Sequence, residues 1–523
     1  MAFLMQPSIT RVRSRNPAPE QSALIRVAWA LFLVSVIWAP LPLGSNRPWA
    51  AALLVLWQWA LLLAVLAIGL RRPQLSATWP SRVLSAKWPL LLLLGFCTLL
   101  GLQLMPAWPP ALRMAWLPLS MPVGGGNLPG AMTLDAAATS RFLVNSLGHL
   151  ASFVLVLLLC DSRKRVQWLL ATLLASGVLQ ALLAVVLGAG DGHYQLFFHE
   201  FKQGTRATGT FPNPDHLAGY MELCIAAGMG LMISQFASST DRTHRDNRKE
   251  AFLRVFKLVL STKMLVRLML VILIIALVKT HSRMGNGVVL LSMMVVAAAA
   301  AVASPQLRRP ISWLLASMLL VDVIVVGQWV GLSRVVERVS GTSIALEASQ
   351  ASAERLEVVR DYREETLLAR MDAPRAALDL ALDAPWTGHG GGTFFTAFPP
   401  FKTDEVYPQY FEHAHNDYAE IAADTGFLGL LLLLGIGFTS VVLAARMLHD
   451  DQPQLRRSVG IAVLIAALSL GLHSIVDFNL QIFAVSSGFT CLLALAWATN
   501  ATPVKALRTQ STERGSATSP RDR

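Results

Sequence analysis

"EHAHNDYAEIAADTGFLGLLLLLG", Glu412 to Gly435, joins two incompatible solvents in one stretch. His413, His415, Asn416 and Tyr418 crowd hydrogen-bonding and proton-transfer capacity into six residues. From Gly426 the chain then runs to Ala445 without a charged side chain. A helix needs about 20 apolar residues to cross a bilayer core, so 425–445 reads as a membrane span. Polar groups at the edge of a span are costly unless they are paired or functional. The stretch therefore sets the fold class and raises the question of what its histidines do.

Outward from this stretch, similar apolar runs recur. Hydrophobic residues make up 54% of the 523-residue chain and charged ones 15%, with mean hydropathy +0.51. That is too apolar and too weakly charged for a soluble domain. Twelve runs qualify as spans, near 23–43, 49–70, 88–105, 142–160, 166–188, 216–235, 264–280, 285–303, 311–330, 425–445, 459–476 and 482–499. The expected fold is all-α, a polytopic membrane protein of about twelve transmembrane helices. The first run follows Arg11, Arg13 and Arg15. It is too long for a signal-peptide core and lacks a small-x-small cleavage site, so it reads as an uncleaved span. Cys97, Cys160, Cys224 and Cys491 all fall in expected spans, which argues against a disulfide framework.

A net charge of +12 would suggest nucleic acid for a soluble protein. Here the basic residues sit in short loops between apolar runs, so membrane topology accounts for them. Membrane lipid is an expected partner and nucleic acid is not. With the N-terminus cytoplasmic, the inner segments hold 28 Lys and Arg against seven in the outer segments other than the longest. That bias puts both ends in the cytoplasm. The expected organisation is a cytoplasmic segment (1–22), nine spans with outer loops (23–330), an outer cap (331–424), three spans (425–499) and a disordered tail (500–523). Within the cap, 347–371 and 375–385 read as helices, the second stopped by Pro385. "TGHGGGTF" (387–394) reads as a turn, so the cap is mainly helical.

On this topology three further polar clusters reach the face that carries Glu412–Asp424. They are "RATGTFPNPDHLAGY" (206–220), "THSRMGN" (280–286) and "GLHSIVDFNLQ" (471–481). These blocks resemble the O-antigen ligase and polymerase family of bacterial envelope biogenesis. "HAHNDYAEIAADTGFLG" is similar to its His-Asn-x-Tyr signature, followed by acidic-x-Gly at the start of a span. The first block is similar to Arg-x-x-Gly-x-Phe-x-Asn-Pro-Asn, with Asp215 where Asn is usual. "THSRMG" is similar to Thr-Gly-Ser-Arg-Gly, with His281 and Met284 replacing small residues, and "DAPWTGHGGGTF" to Pro-x-x-Gly-x-Gly-x-Gly-x-Phe. "HSIVDFNLQ" is similar to the Asp-Phe block of polymerase-like members. The blocks occur in the family's order between Arg206 and Gln481.

The resemblance implies a GT-C-like membrane glycosyltransferase in the bacterial inner membrane, with a periplasmic active site. Its donor would be a glycan on undecaprenyl pyrophosphate. Its acceptor would be a lipid A core sugar (ligase), another lipid-linked repeat unit (polymerase) or a protein hydroxyl. No cofactor is implied, since pyrophosphate is already a good leaving group. Such a site needs cations for the departing diphosphate and a base for the acceptor hydroxyl. Arginine binds phosphate oxygens bidentately, which makes Arg206 and Arg283 candidates, against an ordinary interfacial role. Histidine titrates near neutrality, and His415 holds the family's catalytic-histidine position, against a purely structural hydrogen bond. His413, Asn416, Tyr418 and the cap residue Arg375 are further candidates for substrate binding. Capping of a helix is the alternative for Asn416.

Other readings stay open at this level. The "HAH" triplet could suggest a metal, but no Asp-x-Asp occurs and no His pair is spaced i, i+4 as in a zinc helix. The glycines at 388 and 390–392 suit either an anion nest or a plain turn supporting Arg375 and the cap. His473 and Asp477 suit either a buried structural pair or catalysis, and Glu222 and Asp322 need partners within spans. A transporter of small anions is the competing function. It would favour polar sites at the bilayer midplane in broken helices, whereas these clusters lie at one rim.

Overall fold

The computed structural model describes residues 19–106, 131–189, 193–196, 199–202, 204, 206–235, 261–309, 311–320, 369–401 and 412–507. Residues 1–18, the expected cap helix over 347–368, Asp322 and the tail from 508 lie outside these.

Helices form where the apolar runs lie. In order they are α1 (Pro19–Trp38), α2 (Pro48–Arg71), α3 (Pro73–Ser76), α4 (Trp79–Ser85), α5 (Lys87–Gln103), α6 (Ala136–Leu159), α7 (Arg163–Leu187) and α8 (Pro214–Ser234). A short antiparallel hairpin, β1 (His193–Leu196) with β2 (His199–Lys202), precedes α8. Then come α9 (Thr262–Lys279), α10 (Arg283–Ala303), α11 (Ala369–Asp383), α12 (Phe394–Ala397), α13 (Asp417–Arg446), α14 (Gln454–His473) and α15 (Phe483–Ala501). Among the described residues eight helices are long and apolar enough to cross a membrane, or nine if the pair bent by 75° between α4 and α5 is one span. Of the other expected spans, the apolar part of α1 is short, ending before Pro40 and Pro42. Helix α9 carries Lys263, Arg267 and Lys279. The run at 311–330 is described only to residue 320.

Local chemistry fixes the helix starts. Asp135, Asn213, Ser261, Ser282 and Asn416 each accept a hydrogen bond from a backbone N–H of the following first turn, which satisfies an otherwise orphaned donor. Asn416 starts α13 eight residues before the expected span. Within α13 the helix breaks at Gly426 (φ 68°, ψ 175°). A side chain there would strike the Trp386 backbone, so only glycine suits both the dihedral and the space.

Helix α8 is buried along its whole length and packs against α7, α9 and α14. A helix enclosed on all sides has no lipid face, so its polar residues must be answered by protein. The lipid-facing character lies outside it, for example at Leu53, Leu56 and Leu63 of α2 and Leu431 and Phe438 of α13.

Arginines close the end of the bundle where α6, α8 and α15 finish. Arg82 donates to the carbonyls of Leu157 and Cys160, and Arg163 to that of Ser234. Arg456 donates to those of Thr499, Asn500 and Thr502. Cations at helix C-termini meet both orphan carbonyls and the negative dipole end. The opposite end gathers the N-termini of α8, α10, α13 and α15 with the C-termini of α9 and α14.

Candidate active site

At that second end the four polar clusters meet. The first is anchored by Thr210, whose hydroxyl donates to the Pro40 carbonyl at 2.6 Å and lies 3.0 Å from Gln180 Oε1. Asn213 caps α8 and Pro214 supplies its first residue. Arg206 is held across this turn. Its Nε donates to the Thr280 carbonyl and one Nη to Asp215 Oδ1, both at 2.8 Å. The side-on edge of the guanidinium is thereby committed, and its end-on edge remains. His216 is buried, and neither ring nitrogen has a hydrogen-bond partner among the described residues.

The second cluster lies at the start of α10. Ser282 caps the helix, and Arg283, its first residue, is exposed and makes no hydrogen bond or ion pair with the described residues. Gly285 packs on α8 so closely that a Cβ would sit 2.9 Å from Ala218 and 3.3 Å from Glu222 Oε1.

The third cluster is the approach to α13. Glu420 reaches back, one oxygen 2.7 Å from His413 Nδ1 and the other accepting from the Ala414 N–H at 2.8 Å. Burial opposes a charged His413 imidazole, but the Glu420 carboxylate outweighs it and raises the residue above its ordinary pKa. Asn416 accepts from the Ala419 N–H and donates to the Ile475 carbonyl, each at 2.9 Å. Tyr418 donates to the Gly471 carbonyl at 2.7 Å. Tyr418 thus fastens α13 to the last turn of α14 and Asn416 fastens it to the turn that follows, and Asn416 is the helix cap. Asp417 joins them, accepting from the Ser474 hydroxyl and the Leu480 N–H. His415 between them adopts φ 51°, a left-handed conformation uncommon for a side-chain-bearing residue and found often at functional sites.

The fourth cluster supplies the floor. Phe478 is a shared wall for three histidines: His413 stacks on it at 4.1 Å, while His216 and His415 meet it edge-on at 4.6 and 5.1 Å. Beside it Asp477 Oδ1 lies 3.8 Å from His415 Nδ1, and Oδ2 lies 3.8 Å from His473 Nε2. His473 Nδ1 is 2.6 Å from Glu222 Oε1. Burial alone would raise Asp477, but the neighbouring His415, His216 and His473 imidazoles hold it well below the usual carboxylate range. The partner of Glu222, undecided in the sequence, is therefore His473. Residues 251 apart meet there, a pairing no local pattern could show.

The glycine turn is a nest with its anion built in. Gly392 N–H and Thr393 N–H donate to the two Asp424 carboxylate oxygens at 2.8 and 3.1 Å. Gly390 N–H donates to the Asp424 carbonyl at 2.9 Å, and Gln103 donates to it at 3.0 Å. Gly388, Gly390 and Gly392 all have positive φ, as such a nest requires. Buried His389 lies 3.3 Å from Asp383 and 3.1 Å from the Ala423 carbonyl, and burial pushes its pKa down. The turn thus locks the break in α13 against α5. Gln103 was not singled out in the sequence, and Asp424 only as the acidic residue of the acidic-x-Gly pattern at the start of a span. Arg375 is exposed on α11, whose buried Ala373, Ala376, Ala377 and Leu380 pack with Ala414, Ala419, Ala422 and Ala423.

Residues 268–434 match the O-antigen ligase family model. This stretch is thus similar to the O-antigen ligase family, on a chain whose described residues include eight helices long and apolar enough to cross a membrane. No curated protein matches the chain. The matched segment runs from α9 through the Arg283 turn, the glycine nest and His415 into α13. Arg206, Glu222, His473 and Asp477 lie outside it, and the contacts above tie them to it. Among the described residues no three His, Cys, Asp or Glu side chains form a metal-ligand set.

Proposed function

We propose that this chain is a metal-independent, inverting glycosyltransferase of the O-antigen ligase type. It moves a glycan from undecaprenyl pyrophosphate to an acceptor hydroxyl, on a lipid A core sugar or another lipid-linked repeat unit. The coarser part, a ligase- or polymerase-like function, follows from the family match. The observation that carries the finer reading is His415, held in a left-handed turn at a helix-bundle rim with Asp477 at 3.8 Å.

In this reading His415 accepts the acceptor's hydroxyl proton. The freed oxygen attacks the anomeric carbon, and the electrons of the broken carbon–oxygen bond leave with undecaprenyl pyrophosphate. Asp477 orients the imidazole and balances the charge it gains. Arg283 and the end-on edge of Arg206 take the developing charge on the diphosphate. Arg375 stands exposed on α11 to meet substrate, and His413 with Glu420 shapes the turn. The lipid tail keeps the donor in the bilayer, so the reacting carbon lies just outside the surface, where His415 sits. The site faces the periplasm of the inner membrane, consistent with the arginine-rich opposite end, in a GT-C-like arrangement of about twelve spans.

Lipid-linked donor extracted from cells lacking the protein, mixed with purified protein in nanodiscs and acceptor, tests the reading. Glycosylated acceptor and stoichiometric undecaprenyl pyrophosphate are expected. Uptake of anions into sealed vesicles without glycan transfer would replace the reading by transport.

A further inference from the structure

Behind the candidate base the structure contains a second, wholly buried pair. Glu222 and His473 have side-chain exposures of 0% and 1% and lie 2.6 Å apart. They join α8 to α14 and continue the line Glu222–His473–Asp477–His415, in which carboxylates and imidazoles alternate. Each Asp477 oxygen faces one imidazole, Oδ1 that of His415 and Oδ2 that of His473. Asp477 Oδ1 is anchored by the Phe478 N–H, which donates to it at 2.8 Å, so the polar neighbour left to fix the carboxylate's rotation from the Oδ2 side is His473. The second Glu222 oxygen has no hydrogen-bond partner among the described residues, so the carboxylate's hydrogen bond there is the one to His473. Gly285 leaves no room at that point for a larger residue.

We propose that Glu222 and His473 are positioning residues for glycan transfer, fixing the rotation of Asp477 so that its Oδ1 stays aimed at His415. The proposal rests on His415 being the base. A purely structural pair would have no need to lie in line with His415. Well-packed apolar residues commonly serve stability as well as a buried ion pair does.

Kinetics of the purified full chain in nanodiscs, with donor extracted from cells lacking the protein, separate the possibilities. Glu222→Gln is expected to lower kcat about 10-fold or more, the loss typical of one hydrogen bond to a charged group, with donor KM within about twofold. Breaking a buried pair also destabilises, so the decisive variant is Glu222→Gln with His473→Gln. Its amides can pair with each other, and its melting temperature is expected to return towards wild type while kcat stays low. On a His415→Ala background, Glu222→Gln should cost nothing further, because residues acting as a unit are non-additive. Wild-type kcat in the double glutamine variant, or fully additive losses with His415→Ala, would overturn the positioning role and leave the base assignment standing. Wild-type turnover by His415→Ala itself would overturn the base assignment, and this proposal with it.

Discussion

Replacing Asp215 by Asn is expected to tighten donor binding. Asp215 Oδ1 takes one Nη of Arg206 at 2.8 Å, and the two side chains are 10% and 33% exposed. A diphosphate arriving at Arg206 meets a guanidinium already neutralised and a carboxylate that repels it. Asparagine keeps an oxygen to accept the same N–H, so the geometry survives and only the charge goes. Because the pair is partly solvated, its charge term is worth about 0.5–1 kcal/mol after screening. That corresponds to a donor KM about 2–5-fold lower, with kcat little changed. Steady-state kinetics with varied lipid-linked donor measures it, and the difference should shrink as salt rises. Asp215→Ala, which loses the hydrogen bond as well, should raise KM. An unchanged or higher KM in Asp215→Asn would refute the view that Asp215 masks Arg206.

Asp424→Ala leaves the buried Thr393 N–H without its acceptor and the exposed Gly392 N–H to water; at about 1–3 kcal/mol for one buried orphan donor, a loss of about 1–3 kcal/mol is expected in denaturation, with Asp424→Asn losing about half. Lysine in place of Arg206 or Arg283 should cut kcat/KM about 10-fold or more at normal protein levels, because an ammonium cannot present a bidentate fork; full activity of both variants would remove the diphosphate role. The His413–Glu420 contact should make stability pH-dependent. His413 titrates higher in the folded chain than its unfolded value near 6.5, so the contribution is complete below about pH 6.5 and is lost as pH rises through the folded value. The melting-temperature gap between wild type and His413→Gln should therefore narrow with rising pH.

Eight of the expected spans, or nine with the bent pair, and the meeting of four clusters at one end were legible because hydropathy is a one-dimensional signal. Helix ends were less so. The apolar count placed a span at 425, whereas the Asn416 cap starts α13 at Asp417. The same capping and the Tyr418–Gly471 bond give two candidate substrate residues a fastening role, which residue type alone could not distinguish. The glycine motif left a nest and a plain turn open and could not show an occupant, since Asp424 is 32 residues from Gly392. His216 sat inside a quoted block yet passed unremarked, because its two orphaned nitrogens appear only once the fold buries them.

The central claim is that His415 is the base. Single-turnover transfer by His415→Ala, with donor saturating and free imidazole added in steps, tests it most directly. A base typically contributes about 10²–10⁴-fold, so the variant should bind donor but transfer it that much more slowly, with imidazole restoring part of the rate. Turnover within a few-fold of wild type, or abolition of wild-type activity by EDTA and its recovery with a divalent ion, would contradict the account.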